Sequence, residues 1–310
     1  MNKKSVVKPS GIGGQAVLEG VMMKNKDRYA VAVRKPDGEI EVEEGTCKSL
    51  RDKYFICDLP IIRGVVTFVE SLVLGMKSLT DSSKYFEDEE DDAEEIDEDK
   101  KEKREKVETT FTVILSIILA VGIFMILPFF ISELLKKVVA SEKLLAVIEG
   151  VIRILLFIGY VFAISFVEDI KRVFMYHGAE HKTINCVEHM LPLTVENVKK
   201  QSREHKRCGT SFIFVLFISI IFFIFIRVDN MWLKILCRIL LVPVIAGVSY
   251  EFIRLAGKSE NSIVNALSKP GMLIQKLTTK EPDDSMIEVA IASVEAVFDW
   301  KEFQKDKDAE

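Results

Sequence analysis

Residues Phe111–Ile131 read FTVILSIILAVGIFMILPFFI, an apolar run without a charged side chain. A helix needs about 20 such residues to cross the hydrocarbon core of a bilayer. Because the backbone polar groups find no water in lipid, they must pair within the segment, and a helix achieves this. The stretch therefore predicts an integral membrane protein rather than one large soluble domain.

Three further segments of the chain have the same character. Val151–Val167 carries only Arg153 near its start, and Thr210–Ile226 is free of charge. Trp232–Leu255 has its charged residues towards its two ends, where long side chains reach the headgroup region. Four spans are therefore predicted, and Pro243 would kink the last of them.

Lys and Arg residues flank the predicted spans unequally. They are numerous before the first span, at 100–106, and in the connection between the second and third spans, 168–209, whereas the other two connections hold few. Positively charged flanks tend to stay on the cytoplasmic side of a membrane. We therefore expect a multi-pass protein of a bacterial cell membrane, with both termini and the segment 168–209 in the cytoplasm.

The N-terminal segment, residues 1–80, is predicted to be cytoplasmic and to combine strands with a helix. Alternating apolar residues on both sides of the sequence KPDG at 35–38 predict a β-hairpin with its turn there. The glycine-rich stretch 11–23 matches no phosphate-binding motif, so its glycines are expected to serve close backbone packing. The apolar helix expected at 59–79 carries charges along its length, which favours the membrane interface over a fifth span.

The rest of the chain is predicted to form three further parts. Residues 81–107 are almost wholly charged and should be a disordered linker, since they cannot bury a core. The four-span membrane domain then occupies residues 108–258. Residues 259–310 should form cytoplasmic helices, and the amphipathic one at 285–300 needs a partner surface. The expected fold class is mainly α: a polytopic helical membrane protein with a mixed α/β cytoplasmic part.

A possible metal-binding motif lies at 176–186, where the sequence YHGAEHKTINC contains two of the four histidines of the chain. On a helix continuing from the second span, His177, Glu180 and His181 would share one face. The pattern H-x-x-E-H is the inverted form of the zincin motif, in which both imidazoles bind zinc and the glutamate is the general base. The expected cofactor is therefore a divalent metal, zinc in the first place, with Glu180 as the catalytic residue.

Further metal ligands are available close to this motif. Asn185 and Glu188 lie on the same helical stripe, and either could complete the coordination or orient an imidazole. His205 and Cys208 precede the third predicted span and could join the site if the loop folds back. The alternative is that the histidines hydrogen-bond lipid headgroups or carbonyl groups without any metal.

Charge and cysteine content exclude some other classes. The formal net charge of -5 comes from the acidic run at 87–99, and the remainder of the chain is basic, which suits an anionic membrane surface. Nothing in the sequence favours binding of nucleic acid. The 5 cysteines show no C-x-x-C spacing, so free thiols are expected rather than disulfides.

Several motifs together resemble the YqhQ-like family of bacterial integral membrane proteins: GGQAVLEGVMM, YHGAEHKTINCVE, LPLTVENV, RCGTSF and LTTKEPDDSMIEVAIASVEAV. The likeness covers nearly the whole chain outside the acidic run. Members of that family share a domain of unknown function and are commonly labelled predicted metal-dependent enzymes. The resemblance therefore implies a metal site but no substrate. The positions that match its motifs are His177, Glu180, His181, Asn185, Cys186, His205, Arg207 and Cys208.

Two functional classes stay open. The first is a membrane-bound, metal-dependent hydrolase of unknown substrate. The second is a non-catalytic accessory or scaffold protein in membrane-protein assembly or at the translocon, which the charged linker and the apolar interfacial helix favour. Both imply the lipid bilayer as a partner, and the second adds other membrane proteins. A transporter is disfavoured because few ionisable residues lie at mid-membrane depth.

Overall fold

The computed structural model describes residues 8–86, 98–205, 208, 213–226, 228, 230–257 and 261–305. The chain divides into two units, each assembled from segments that are distant in sequence. The first, called here the sheet unit, comprises Met1–Phe86, Tyr160–Val215 and Val242–Glu310. The second, called the apolar unit, comprises Glu87–Gly159 and Leu216–Leu241.

The described residues form one small sheet and a larger number of helices. The strands are β1 (Gly13–Val17), β2 (Gly20–Asn25), β3 (Arg28–Arg34) and β4 (Ile40–Thr46). The helices are α1 (Leu50–Lys53), α2 (Ile62–Ser83), α3 (Glu98–Val121), α4 (Leu127–Leu135), α5 (Glu142–Ile164), α6 (Glu168–Glu188), α7 (Val195–Lys199), α8 (Ile213–Ile224), α9 (Met231–Ala256), α10 (Ser262–Thr278), α11 (Asp284–Val297) and α12 (Trp300–Lys305). Turns of 3₁₀ helix occur at Phe55–Asp58 and Lys84–Phe86, and a π-helical turn at Gly122–Ile126 joins α3 to α4.

The sheet is antiparallel, with its strands in the order β1-β2-β3-β4. The expected hairpin around KPDG is confirmed as β3 and β4, in which Arg34 pairs with Ile40 and Gly38 takes a φ of 89° at the turn. A second hairpin, β1 and β2, was not predicted. The glycines there pack closely, since a Cβ on Gly20 would lie 2.3 Å from the carbonyl oxygen of Ala32.

Both faces of the sheet are covered within the sheet unit. Successive strand residues point to opposite faces, so β1, β2 and β3 contribute to two apolar clusters, whereas β4 contributes to one. One face packs on α6 and α11, and the other on α2 through Leu74. The residues buried between the sheet and the helices α6 and α11 include Val21, Met23, Ala30, Ala32, Tyr176, Ile184, Ile287 and Val294.

Helix α11 is the amphipathic helix that the sequence predicted at 285–300, and the sheet is its partner surface. Asp283 caps the helix, because its side chain accepts a hydrogen bond from the backbone N–H of Met286 at 3.0 Å. The hydroxyl of Ser293 donates to the carbonyl of Ala30 on β3 at 3.0 Å. The cap at Asp283 thus sets where α11 begins, and the apolar face of the helix and the hydroxyl of Ser293 hold it on the strands.

Three helical segments of the described chain are long and apolar enough to cross a membrane: Val107–Leu135, Glu142–Ile164 and Met231–Ala256. These correspond to the first, second and fourth spans of the sequence analysis, so association with a membrane is supported. The third predicted span is α8, which has only 12 residues as described, fewer than the about 20 that a spanning helix needs. In the apolar unit α8 lies close to α5, since a Cβ on Gly150 would meet the Ile220 side chain at 2.1 Å.

Two expected segments differ from the prediction. The charged linker at 81–107 lies partly outside the described residues, at 87–97, but its described ends are helical. The charged start of α3 continues into an apolar helix, and Arg104 pairs with Glu108 one turn later at 2.8 Å, so helix formation propagates through it. The motif helix α6 does not continue from α5, because the chain leaves the helix between Ile164 and Glu168.

Candidate metal centre

Helix α6 places the H-x-x-E-H motif inside the sheet unit. Every residue from Tyr176 to Glu188 is buried, because the helix packs against β1, β2, α7 and α11. His177, Glu180 and His181 are three and four positions apart and therefore lie on one face of the helix. The motif thus lies in the core of the unit.

Two glycines bring other backbones close to this face. A Cβ on Gly178 would lie 2.0 Å from the carbonyl oxygen of Lys280, and Lys280 donates its N–H to the carbonyl of Phe174 at 2.8 Å. A Cβ on Gly14 of β1 would lie 2.9 Å from Cγ of Glu180. The connection between α10 and α11 and the first strand can therefore approach the motif only because these positions lack a side chain.

The two imidazoles are held in the same way. The Nδ1–H of His177 donates to the carbonyl of Thr278 at 2.9 Å, and that of His181 donates to the carbonyl of Arg203 at 2.6 Å. Since a carbonyl oxygen only accepts, each Nδ1 carries a proton, which leaves Nε2 of each ring as the atom that a cation would bind when it displaces any proton there. Nε2 of His177 lies 3.3 Å from Sγ of Cys208. Nε2 of His181 is buried and has no hydrogen-bond partner among the described residues.

Cys208 completes a cluster of three possible metal ligands. One ligand atom each from His177, His181 and Cys208 lie within 4.8 Å of one another, and the two imidazole centroids are 4.4 Å apart. Zinc–nitrogen and zinc–sulfur bond lengths put the ligand atoms of a tetrahedral site about 3.5 Å from each other. The cluster is therefore close to a coordinating arrangement, and small side-chain adjustments would complete it.

Glu180 lies beside this cluster. Its side chain is only 5% exposed, and Oε2 is 4.0 Å from Nε2 of His177. Oε2 has no hydrogen-bond partner in the described part of the chain. Burial raises the pKa of Glu180, although the nearby His177 and His181 act in the opposite direction. The carboxyl group is therefore suited to exchange a proton closer to neutral pH than an exposed glutamate.

The charges of Cys208 and the histidines support one another. Burial alone would raise the pKa of the Cys208 thiol, but the positive charges of His177 and His181 lower it well below its usual value. Burial likewise lowers the pKa of His177, but the charge and hydrogen bond of Cys208 raise it to about 9. The thiolate that results is the form of cysteine that binds metals.

The other two expected ligands form a pair of their own. His205 Nε2 lies 3.3 Å from Oε2 of Glu188, and the His205 ring is 5.8 Å from the ring of His181. Oε1 of Glu188 accepts from the N–H and the hydroxyl of Ser10, both at 2.8 Å. Burial, followed by the charge of His181, lowers the pKa of His205 to about 4. Glu188 and His205 thus stand next to the three-residue cluster, with partners already in place.

Asn185 shapes the loop that delivers the cysteine. Its amide donates to the carbonyl groups of Ser202 at 2.7 Å and Glu204 at 3.1 Å. The neighbouring Cys186 points elsewhere, its Sγ lying 3.6 Å from the carbonyl of Pro192, and burial raises its pKa to about 11. Of the two cysteines in the motifs, only Cys208 joins the histidines.

Sequence reasoning missed the groups that hold the ligands in place. The carbonyls of Thr278 and Arg203 fix the imidazoles, and the side chain of Gln275 exchanges two hydrogen bonds of 2.8 Å with the backbone of His205. Gln275 is fully buried. A glutamine on the apolar face of a predicted helix is a signal for such a role, whereas backbone carbonyls leave none in a sequence.

Comparison with known proteins gives a family but no chemistry. A family described as "Protein of unknown function (DUF1385)" matches residues 59–300. The chain is similar to the "Uncharacterized protein YqhQ" of Bacillus subtilis (strain 168), with 38% identity over 298 residues that cover 94% of this chain and 93% of the relative. The resemblance to the YqhQ-like family is thus confirmed. No solved structure matches the chain.

Proposed function

The chain belongs to the DUF1385 family, whose description names no activity, and we propose that it is a membrane protein that binds one divalent metal ion. The ligands would be His177, His181 and Cys208. The observation that carries this proposal is Nε2 of His181, a buried nitrogen with no hydrogen-bond partner among the described residues, which lies beside two other ligand atoms. An unsatisfied buried polar atom costs about 1–3 kcal/mol, and coordination of a metal removes that cost.

The donor set fits zinc best. Two imidazole nitrogens and one thiolate form a borderline-soft set, which suits Zn²⁺ better than Mg²⁺ or Ca²⁺. The carbonyls of Thr278 and Arg203 supply the outer hydrogen bonds that orient metal-binding histidines. The unpaired Oε2 of Glu180 marks the position of a fourth ligand or of a base.

The chemistry that we propose is hydrolysis. A zinc ion held there would supply Lewis acidity, which polarises a carbonyl or phosphoryl oxygen. Water would attack the polarised group, and Glu180 would take up the proton of this water and pass it to the leaving group, since its Oε2 has no hydrogen-bond partner in the described part of the chain and its pKa is raised by burial. His177 and His181 would keep their Nδ1 protons on the backbone carbonyls throughout. No residue of the site identifies the substrate.

A second candidate is a structural metal in a non-catalytic accessory protein of membrane-protein assembly or the translocon. Burial favours it, since His177 is 8%, Glu180 4% and His181 1% exposed. Closed sites with cysteine ligands commonly stabilise a fold, whereas catalytic zinc keeps an open position. In this case the ion would hold the loop that contains Cys208 against α6.

Elemental analysis of the full chain, purified in detergent without chelator and reloaded with zinc, tests metal binding. We expect about one zinc per chain, and loss of it in His177→Ala and His181→Ala. His189→Ala is the matched control, because His189 ends the same helix and its Nδ1 bonds the carbonyl of Asn185 at 2.7 Å, outside the cluster. Wild-type protein without zinc, or equal zinc in all four proteins, would refute the proposal.

Glu180→Gln separates the two candidates. The amide keeps the size of the side chain but cannot take up the proton, so an enzyme keeps its zinc and loses the ability to complement a strain that lacks the gene. A structural metal protein keeps both zinc and complementation. If zinc is lost, Glu180 is a ligand and not the base.

A further inference from the structure

A second polar cluster lies in the apolar unit, on two helices that are long and apolar enough to cross a membrane. Glu149 and Arg153 lie one turn apart on α5, and Arg238 lies on α9; they are 2%, 3% and 4% exposed. Both guanidinium groups donate to the same carboxylate oxygen of Glu149, at 2.8 Å from Arg153 and 2.6 Å from Arg238. Buried charge in such helices is costly and typically marks a functional site.

Arg153 has a full set of partners. Its Nε donates to the carbonyl of Phe124 in the π-helical turn at 2.8 Å, and its Nη1 donates to the hydroxyl of Ser219 at 2.9 Å. The guanidinium also lies 4.8 Å from the ring centroid of Phe223. Arg153 therefore ties Glu149 to two neighbouring helical segments.

The hydrogen-bond donors of Arg238 are less well satisfied than those of Arg153. Nε of Arg238 is buried and has no hydrogen-bond partner among the described residues. The rings of Phe129 and Phe223 lie 4.7 and 4.9 Å from the guanidinium carbon, and a ring face attracts the charge without accepting a conventional hydrogen bond. In the part of the chain that the structure describes, an acceptor is therefore missing on one side of Arg238.

The cluster also carries excess positive charge. Two guanidinium groups share one carboxylate, and arginine does not release its proton in proteins. A buried charge without a counter-charge is strongly unfavourable. Within the described part of the apolar unit, the cluster therefore suits a partner that is an anion of single charge and also accepts hydrogen bonds.

A cavity of about 30 Å³ adjoins Arg238, which is room for about two water-sized groups. Its other ionisable lining residues balance in charge. Glu133 and Lys136 pair with each other at 2.5 Å, and Glu142 offsets Lys234. The excess charge at the cavity is thus the charge of Arg238 and its neighbours.

We propose that this cavity receives the two non-bridging oxygens of a singly charged phosphate oxyanion, namely the phosphodiester headgroup of an anionic phospholipid, the rest of which would lie outside the cavity. The planar guanidinium fork matches phosphate oxygens, and one phosphodiester balances the excess charge. Basic pockets between membrane helices bind anionic lipid headgroups, and the helices around this cavity have the apolar surface that acyl chains need. Inorganic phosphate offers the same oxygens without acyl chains.

Thermal unfolding of the full chain in neutral detergent tests the site. The probes are short-chain phosphatidylglycerol, short-chain phosphatidylcholine, whose headgroup has no net charge, and inorganic phosphate. We expect phosphatidylglycerol to raise the Tm with saturation and the other two to leave it unchanged. Stabilisation by inorganic phosphate alone would overturn the lipid assignment, and no stabilisation by either anion would overturn the site.

Two lysine variants make the test specific without disturbing the buried charges. Lys234→Gln removes a positive charge from the cavity wall and leaves the charge of Glu142 without its offset, so it should weaken phosphatidylglycerol binding about tenfold. Lys143→Gln is the control, because Lys143 is exposed beside Glu142 and does not line the cavity. Equal affinity of the two variants would overturn the proposal. Arg238→Gln, if it folds, should abolish binding.

Discussion

Two backbone carbonyls decide what the imidazoles of His177 and His181 can do. Because Thr278 and Arg203 accept the Nδ1 protons, both Nε2 atoms face the cluster and are the atoms that a cation would bind. The same rings with the other tautomer would present N–H groups and could not bind a cation. The chemistry of the site thus depends on residues from α10 and from the loop after α7 as much as on the motif itself.

Gly178→Ala should damage this arrangement. The added methyl group would lie 2.0 Å from the carbonyl oxygen of Lys280, a backbone atom that cannot turn away, so the connection that carries Thr278 must shift. We expect a loss of about 1–3 kcal/mol of stability and weaker zinc retention, measured as Tm and metal content.

Gly159→Ala is the matched control for that variant. Gly159 is also helical, but no atom lies within 4 Å of its Cβ position, so alanine there should change the stability by no more than about 1 kcal/mol. If Gly178→Ala were as stable as this control and kept its zinc, the close approach of Lys280 would have no role in the site.

The spacing of His177, Glu180 and His181 was enough to predict one shared helical face. It could not tell which distant residues reach that face. Cys208 meets His177, whereas His205 pairs with Glu188, and this division follows from the path of the loop between α7 and α8. Hydrogen bonds of Asn185 and Gln275 to loop backbone set that path, and such bonds depend on three-dimensional proximity.

At the scale of elements, turn chemistry explains which hairpin was predictable. The turn between β3 and β4 has proline, aspartate and glycine where a turn needs them. The turn between β1 and β2 has Glu19, with a φ of 48°, and lacks the Asn-Gly or Asp-Gly signal of a two-residue hairpin. Glu19 is instead held from outside, because its carboxylate pairs with Arg172 on α6. A contact between distant segments thus stabilises a turn that the local sequence does not predict.

Helix α2 has two apolar sides, and only one has a partner in the sheet unit. Leu74 and Gly75 pack on the sheet side. The opposite side exposes large apolar residues, namely Phe68, Val69, Leu72, Val73, Met76 and Leu79. The helix is not among the segments apolar enough to span a membrane, so its position at the membrane interface stays a prediction.

Tryptophan fluorescence tests the position of α2. In vesicles with brominated lipids, a tryptophan introduced by Val73→Trp should be quenched beyond the wild-type signal, because a residue on the lipid side meets the acyl chains. Glu41→Trp on the exposed edge strand β4 is the control and should show no added quenching. Equal quenching at both positions would place the apolar side of α2 away from lipid.

At the scale of the whole molecule, the apolar residues of the candidate spans are left uncovered by protein. Only 11%, 28% and 22% of their most apolar windows are buried. Soluble proteins rarely expose contiguous apolar patches of such size, so lipid is the natural cover. The number of crossings differs between the two descriptions, because hydropathy counts the whole apolar run at 210–226, whereas α8 in the described part of the chain comprises Ile213–Ile224.

Topology decides between the two counts. With four crossings both termini lie in the cytoplasm, as the basic flanks predict, whereas with three the termini would lie on opposite sides, which disagrees with the core that α11 shares with β2 and β3. Reporter fusions to the full chain and to chains ended after Val138 measure this directly. We expect a C-terminal green fluorescent protein to fluoresce, and alkaline phosphatase to be active after Val138 but inactive at the C-terminus. Active phosphatase at the C-terminus would contradict four crossings and also the sheet unit, in which α11 shares one buried core with β2 and β3 and must lie on the same side of the membrane as they do.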